Sequence, residues 1–288
     1  MSRIYEVLRQ MEKGQGPPAA PLFEQPAELS PEPTPQQTEF DRVGSVKVNA
    51  LPTARFVALS EPRSFGAEKF RALVTRLEHM RRQKEMKSLQ ITSSVMSEGK
   101  TLVAANLALT FAKHSRAKVL LLEGDLHRPM LASLFGLHDS QGISHWWSNP
   151  DQNIEHFLSR VDEMPLWFLS AGVGHEQPSE ILQAAQFAKA FNRLAGWFDW
   201  IIVDSTPMLP ITDVNLWSRL VDGTLLVVRE GVASVKALKK GLESLDNLKL
   251  IGTVLNEASE SGRTGYATQY YGSGHDSNRK VKQSETTP

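Results

Sequence analysis

Hydrophobic residues along this chain occur in two patterns, short continuous runs that are typical of buried strands and spacings that are typical of helices. Short, nearly continuous apolar runs suit strands that are buried on both faces of a sheet. These runs lie at residues 88–94, 118–124, 165–172, 199–205, 223–230 and 249–257. Other segments, such as 68–80 and 101–115, space their apolar residues at helical intervals. The alternation predicts an α/β fold, a doubly wound and mostly parallel sheet that helices cover on both faces.

The composition changes on both sides of this alternating region. Residues 2–13 show the apolar spacing of one short amphipathic helix. The segment that follows is rich in proline and glutamate, and the C-terminal segment is rich in glycine, serine and threonine. We therefore expect a short amphipathic helix at 1–15, a disordered linker at 16–49, a folded domain at 50–258 and a flexible tail at 259–288.

The overall composition is that of an ordinary soluble globular protein. Lys plus Arg and Asp plus Glu number 32 each, so the net charge gives no attraction to nucleic acid or to an acidic membrane surface. Cysteine is absent, which excludes disulfides and thiolate metal sites, and the histidines lack zinc-ligand spacing. No apolar run reaches the roughly 18–20 residues that span a bilayer, and the N-terminus has no apolar core of a secretory signal. We expect a cytoplasmic protein that has no membrane span of its own and does not bind nucleic acid.

The loop of residues 93–101, with the sequence SSVMSEGKT, has the ending of a phosphate-binding loop. Gly99, Lys100 and Thr101 match the last positions of G-x-x-x-x-G-K-[ST], but Ser94 stands where that pattern has its first glycine. Backbone N–H groups and the positive end of the next helix would cradle phosphates. Lys100 would neutralise their charge and Thr101 would bind Mg²⁺. A Gly-Lys-Thr triplet alone also occurs by chance, so other residues must support this prediction.

Acidic residues follow two further predicted strands, at the edge where parallel sheets bind ligands. Asp204 comes directly after WIIV, in the place of an acid that orders Mg²⁺ through water, and Glu123 and Asp125 end the run VLLLEGD. Taken singly, each acid is better explained as a helix N-cap or a loop charge. Together with the loop they predict a site for ATP and Mg²⁺. Its catalytic residues would be Lys100, Glu123, Asp125 and Asp204, and its metal residues Thr101, Asp125 and Asp204.

Three segments resemble motifs of one protein family. ITSSVMSEGKT is similar to the Walker A motif, LLLEGDLHRP to the Walker A′ motif and IIVDSTPMLPITD to the Walker B motif of the bacterial tyrosine autokinases (BY-kinases) of polysaccharide synthesis. These kinases lie within the wider MinD/ParA-like group of P-loop ATPases. The resemblance covers about residues 55–272. It implies a MinD/ParA-like P-loop NTPase fold, with ATP and Mg²⁺ as cofactors.

The resemblance also implies which residues form the nucleotide site. Asn256, in the late segment GTVLNE, would fall near the adenine. The residues that match the site are Ser94, Ser97, Glu98, Gly99, Lys100, Thr101, Leu102 and Asn256. The chain departs from the family where Met96 and Ser97 replace the usual Pro-Gly. It also departs where Glu123 replaces an Asp and where His127 replaces an Arg.

The polar C-terminal segment contains three of the four tyrosines of the chain, Tyr266, Tyr270 and Tyr271. The resemblance implies that these tyrosines are the phosphoacceptors; the alternative is a polar tail with a few incidental aromatic residues. We therefore predict an ATP-dependent protein-tyrosine autokinase that regulates the polymerisation or export of exopolysaccharide or capsule. Two alternatives remain, a MinD/ParA-like switch ATPase without kinase activity and an ATP-binding pseudokinase that acts as a scaffold.

The resemblance implies partners as well. Related soluble kinases depend on a membrane-spanning chain-length determinant (Wzz-like) protein, so this chain would lie peripherally at the inner membrane through such a partner. Self-association is also expected. Glu68 and Arg71 match the family's oligomerisation motif E-x-x-R-x-x-R, whereas Val74 does not. Either the helix at 2–13 or the helix at 68–80 would mediate docking or self-assembly.

Overall fold

A computed structural model describes residues 43–51, 54–137, 140–173, 178–209, 213–243 and 249–257. The strands in these residues are β1 (Ser45–Val46), β2 (Ser88–Ser93), β3 (Val119–Glu123), β4 (Leu158–Val161), β5 (Leu166–Leu169), β6 (Trp200–Asp204), β7 (Gly223–Arg229) and β8 (Leu250–Asn256). The described strands form one eight-stranded sheet in the spatial order β1-β4-β5-β3-β6-β2-β7-β8. Neighbouring strands are parallel except β4 and β5, which are antiparallel.

Helices connect most of the strands. They are α1 (Val57–Ser60), α2 (Phe65–Gln83), α3 (Lys100–Thr110), α4 (Leu131–Phe135), α5 (Ile143–Ser148), α6 (Pro178–Gln183), α7 (Ala185–Trp197), α8 (Asp213–Leu220) and α9 (Val235–Glu243). The helix predicted at 101–115 is divided in two, because a π-helical turn, Phe111–Ser115, follows α3.

The sheet has helices on both faces. Leu225 and Val227 of β7 pack in one cluster with Leu107 of α3, whereas Leu226 packs with Val214 of α8. Successive residues of a strand point to opposite faces of a sheet, so α3 and α8 cover different faces. The central strands β2, β3 and β6 are buried along their whole length, as their apolar runs indicate. The prediction of a doubly wound, mostly parallel α/β fold is confirmed.

Two strands are present that the apolar pattern does not predict. β1 lies within the segment expected to be a linker, 16–49, and pairs with β4; its two residues are too few to show a period. β4 contains one exposed and one half-buried residue among four, so it lacks a continuous apolar run. A domain that begins at residue 50 would therefore omit a strand, and the other domain boundaries stay predictions.

Helix α2 contains the segment that was expected to be helical at 68–80. It begins after Ser64, whose hydroxyl accepts the N–H of Ala67 over 3.2 Å as an N-cap. Its apolar face is directed at the core, where Val74 and Leu77 are fully buried. Val74, the position that departs from the oligomerisation motif, is therefore a core residue and does not lie on the outer surface of the helix.

Several predicted segments lie outside the described residues. These are the amphipathic helix at 2–13, the linker before residue 43 and the tail with Tyr266, Tyr270 and Tyr271. In the part of the chain that the structure does describe, the helices are too short or too polar to cross a membrane.

Candidate active site

The carboxyl ends of β2, β6 and β3 lie side by side. β6 pairs with β2, where Asp204 is opposite Ile91, and with β3, where Asp204 is opposite Glu123. Because these strands are parallel, the loops that follow them meet at one edge of the sheet. The predicted phosphate-binding loop after β2 therefore lies beside Asp204 and beside the loop that contains Asp125.

Lys100 is the centre of the charged cluster at this edge. Its Nζ lies 3.0 Å from Asp125 Oδ2, 3.4 Å from Asp204 Oδ1 and 3.3 Å from Thr101 Oγ1. Burial lowers the pKa of Lys100, but the charges of Asp204 and Asp125 outweigh this effect and leave the pKa above its ordinary value. The side chain is therefore an ammonium cation. Four residues that were predicted separately from the sequence are thus brought together.

Asp204 is the most deeply buried acid of this cluster, with 1% of its surface exposed. Burial raises its pKa from 3.8 to about 6, although the charge of Lys100 and the hydroxyl of Thr101 act to lower it. The neighbouring carboxylates Asp125 and Glu123 raise the pKa further. Negative charge is therefore concentrated at this point beyond what a single lysine compensates, which favours the binding of a cation.

The side-chain oxygen atoms of Thr101, Asp125 and Asp204 are ligands of the chemical type that Mg²⁺ binds. Mg²⁺ prefers oxygen ligands and commonly binds to one or two carboxylates, with waters and substrate phosphates completing its octahedron. Among the described residues, no group of three or more His, Cys, Asp or Glu side chains is placed to hold a metal ion. The donor set therefore suits a magnesium ion that is shared with phosphates rather than an all-protein metal site.

Glu98 holds the phosphate-binding loop from inside. Its buried carboxylate accepts the hydroxyl of Ser94 over 2.7 Å, the N–H of Val95 over 2.8 Å and the N–H of Arg229 over 3.3 Å. Its backbone carbonyl accepts the side-chain amide of Asn256 over 2.9 Å. The carboxylate therefore connects the beginning of the loop to β7, and the carbonyl connects it to β8.

Two residues of the loop have left-handed backbone conformations. Gly99 has a φ of +90°, which other residues rarely adopt, and a Cβ atom there would lie 2.2 Å from Nδ2 of Asn256. A larger residue would therefore be strained and would displace the amide of Asn256. Ser97 has a φ of +66°, at a position where the family usually has glycine. The loop of this chain therefore contains a strained residue that the motif would avoid.

Glu123 is fully buried, and its carboxylate is bound away from Lys100. It accepts the N–H of Ala132 over 3.2 Å, the hydroxyl of Ser170 over 3.1 Å and the N–H of Ala171 over 3.1 Å. Burial raises its pKa, and these hydrogen bonds act to lower it. The carboxylate connects the ends of β3 and β5 to α4. Its proposed catalytic role stays a prediction, whereas its contacts are those of a residue that holds loops together.

A cavity of about 500 Å³ opens beside the charged cluster. Of the predicted residues, Ser97, Gly99, Lys100, Thr101, Leu102 and Asp125 line it. Ser94, Glu98, Glu123, Asp204 and Asn256 do not line it. The cavity is also lined by residues that the sequence motifs do not predict for the site, among them Arg128, Met130 and Pro207. Arg128 lies three residues after Asp125 within the Walker A′-like segment. This position in the motif could have indicated from the sequence that Arg128 belongs to the site.

The loop after β3 is anchored to two helices by a buried aspartate. Asp213, the first residue of α8, is 1% exposed. Its Oδ2 lies 2.9 Å from Nε2 of His127, and its Oδ1 accepts the hydroxyl of Ser179 of α6 over 2.8 Å. His127, which departs from the family motif, therefore has a defined partner.

Comparison with known proteins finds relatives that match about three quarters of the chain. No protein-family model matches it. The chain is similar to tyrosine-protein kinase YwqD of Bacillus subtilis (strain 168), with 30% identity over 218 residues that cover 75% of this chain and 90% of that protein. It is similar in structure to the chimerical protein CapA2B2, with a TM-score of 0.66 and 25% identity over 76% of this chain and 95% of that chain. The MinC:MinD cell division protein complex of Aquifex aeolicus is similar in fold alone, with a TM-score of 0.50 and 23% identity over 61% of this chain and 70% of that chain.

Proposed function

Because the chain belongs to the family of bacterial tyrosine-protein kinases, we propose that it transfers the terminal phosphoryl group of ATP to tyrosine side chains. The phosphorylation would regulate the polymerisation or export of exopolysaccharide or capsule. The acceptors are Tyr266, Tyr270 and Tyr271 of a second copy of the chain. These tyrosines lie outside the described residues, so their assignment rests on the sequence and on the family.

The arrangement around Lys100 is the observation on which this proposal depends. Phosphoryl transfer requires mainly that the phosphates are positioned and that their charge is neutralised. Lys100 stands between Asp125 and Asp204 at the beginning of α3, where backbone N–H groups of the loop and the helix N-terminus would bind a phosphate. The Glu98 contacts connect this loop to β7 and β8, which suits a site that must position phosphates accurately.

Thr101, Asp125 and Asp204 would hold a magnesium ion in this site. The bound ion would neutralise negative charge on the phosphates of ATP. The carboxylates of the chain must then be ionised, and the charge of Lys100 acts in that direction at Asp204, where it lowers the pKa.

Asp125 is the acid that can reach the acceptor. It lines the cavity, whereas Glu123 is bound to Ser170 and to the backbone of Ala132 and Ala171. In the proposed reaction the tyrosine oxygen forms a bond to the terminal phosphorus, the bond to the ADP oxygen breaks, and the phenolic proton passes to a carboxylate oxygen of Asp125. ADP leaves as the second product.

The proposed partner is a membrane-spanning chain-length determinant (Wzz-like) protein, which would hold the kinase at the inner membrane. Self-association of the chain would bring the tail of one copy to the cavity of another. The outer surface of α2, which contains Glu68 and Arg71, and the segment at 2–13 are the proposed contact regions.

Incubation of the full chain with labelled ATP, with and without the cytoplasmic tail of a candidate membrane partner, tests the proposal. Label on the tail tyrosines supports the kinase. Release of phosphate without labelled protein supports a switch ATPase, and the absence of both supports a scaffold. The variant in which Tyr266, Tyr270 and Tyr271 are changed to Phe should lose the label, while the matched control Tyr5→Phe should retain it. Undiminished label on the triple variant would disprove the assignment of the acceptors.

A further inference from the structure

Arg128 is a second cation beside Lys100 in the candidate site. It lines the same cavity as Lys100 and Thr101, and its side chain is exposed. Its backbone N–H donates a hydrogen bond of 3.0 Å to Oδ1 of Asp125, whose other oxygen is 3.0 Å from Lys100 Nζ. Asp125 therefore connects the loop that contains Arg128 to Lys100 of the phosphate-binding loop.

Arg128 and Lys100 carry the same charge but have different neighbours. Lys100 has two carboxylates within ion-pair distance. The guanidinium of Arg128 has its Nη1 3.4 Å from the thioether sulfur of Met96, which is a weak and neutral acceptor. No described carboxylate forms an ion pair with Arg128. Its donors and its charge are therefore available to an anion in the cavity.

The strand order indicates which part of a nucleotide Arg128 would meet. Asn256, the residue expected near the adenine, ends β8, and the phosphate-binding loop follows β2. Arg128 follows β3, which lies on the opposite side of β2 from β8 in the order β3-β6-β2-β7-β8. A nucleotide whose base lies near β8 and whose phosphates cross the loop would thus extend its terminal phosphate toward β3 and Arg128.

The residue before Arg128 holds the loop in place. His127 Nε2 is 2.9 Å from Oδ2 of the buried Asp213, which also accepts the hydroxyl of Ser179 over 2.8 Å. These contacts connect the loop after β3 to α8 and α6. With its neighbour anchored in this way, Arg128 is presented to the cavity from a loop of restricted freedom.

We propose that the guanidinium of Arg128 binds the terminal phosphate of ATP, and that His127 positions Arg128 by anchoring the loop to Asp213. The inference rests on the proposed function for the identity of the nucleotide. A planar guanidinium suits this ligand, since its paired N–H groups match two oxygens of one phosphate. Arg128 would therefore distinguish ATP from ADP, which lacks that phosphate.

Titration calorimetry with the full chain and Mg²⁺ tests the contact, using ADP and a non-hydrolysable ATP analogue. We expect Arg128→Gln to weaken binding of the analogue by about ten-fold or more, because a charge-assisted hydrogen bond is lost, and to weaken binding of ADP by about two-fold or less. The matched control is Arg82→Gln, an exposed arginine in the last turn of α2, and it should bind both nucleotides as the wild type does. Thermal unfolding of Arg128→Gln verifies that the variant is folded. Unchanged affinity for the analogue, or equal losses for both nucleotides, would overturn the assignment.

A double-mutant cycle tests the positioning role of His127. His127→Ala alone should weaken binding of the analogue, whereas in the Arg128→Gln background it should cause little further loss, because the residue that it positions is already absent. Additive losses would show that His127 does not act through Arg128. Retention of affinity in His127→Asn, which can still donate to Asp213, would support the positioning role, and a loss equal to that of His127→Ala would contradict it.

These binding measurements are independent of the kinase assay. If the wild-type chain phosphorylates no tyrosine but Arg128→Gln still loses affinity selectively for the ATP analogue, the proposed function fails and the Arg128 contact stands. If tyrosine phosphorylation is observed but the two affinities are unchanged in Arg128→Gln, the proposed function stands and the Arg128 contact fails.

Discussion

The hydroxyl of Ser94 donates a hydrogen bond of 2.7 Å to Oε2 of Glu98, a carboxylate that is fully buried within the phosphate-binding loop. Ser94 stands where the general loop pattern has glycine. Its φ is not positive, so the backbone at this position does not require glycine. The departure from the motif thus supplies a hydrogen bond to the residue that holds the loop.

Ser94→Ala should therefore destabilise the protein even though the change is small. The buried carboxylate of Glu98 loses one of its donors, and we expect the free energy of unfolding to fall by about 1–3 kcal/mol. Urea denaturation followed by circular dichroism measures this loss. The control is Ser60→Ala, which removes a hydroxyl bonded to a neutral carbonyl at an exposed site. Equal, small effects of both changes would show that the Ser94 contact contributes nothing specific.

Ser97→Gly should stabilise the protein. A non-glycine residue in the left-handed region costs roughly 1–2 kcal/mol, and glycine removes that cost while adding about 0.5–1 kcal/mol of backbone entropy. We expect a net gain in the free energy of unfolding of up to about 1 kcal/mol. Ser97→Ala, which keeps a Cβ atom at a φ of +66°, should give no gain. A gain of the same size for Ala would contradict the assignment of strain to this backbone angle.

Lys100→Met should remove most of the affinity for Mg·ATP. The change deletes the cation between Asp125 and Asp204 and leaves a side chain of similar length, so the loss reflects charge rather than shape. We expect binding to weaken by at least about ten-fold in titration calorimetry. Lys239→Met, an exposed lysine on α9, is the matched control and should bind as the wild type does. Undiminished affinity of Lys100→Met would mean that ATP binds elsewhere.

Asp204 should make the stability of the protein depend on pH in a defined window. Burial raises its pKa in the folded chain to about 6 from 3.8, against the opposing effect of Lys100. Between about pH 4 and pH 6 the folded chain therefore keeps a proton that the unfolded chain has released, and this group makes stability fall as the pH rises through that window. Asp204→Asn cannot titrate. Its free energy of unfolding should therefore increase relative to the wild type, by a few kcal/mol at most, as the pH rises from about 4 to about 6.

Denaturation at a series of pH values, with the difference between variant and wild type plotted against pH, measures this effect. The difference cancels the titration of all other groups that the substitution leaves unchanged. Asp151→Asn, at an exposed site, serves as the control for the loss of one carboxylate. A flat plot for Asp204→Asn would show that the pKa of Asp204 is not raised in the folded chain.

The sequence by itself determined the fold class and the centre of the site. Continuous apolar runs require strands that are buried on both faces, and the carboxyl ends of parallel strands meet at one edge of their sheet. The convergence of Lys100, Asp125 and Asp204 follows from these two facts, because each residue lies at the end of a predicted strand or shortly after it. The roles assigned to them, and to Asn256 and the tail tyrosines, stay predictions.

Only the tertiary structure decided which partner each remaining side chain meets. Glu123 and Asp125 are two residues apart in similar sequence surroundings, yet Glu123 is bound to Ser170 at the end of β5 and Asp125 contacts Lys100. His127 meets Asp213, 86 residues away in the sequence. Such pairs depend on strand order and on the backbone angles of individual loops. Hydrophobic periodicity does not encode these, because it records only which side of an element is buried and not what lies against it.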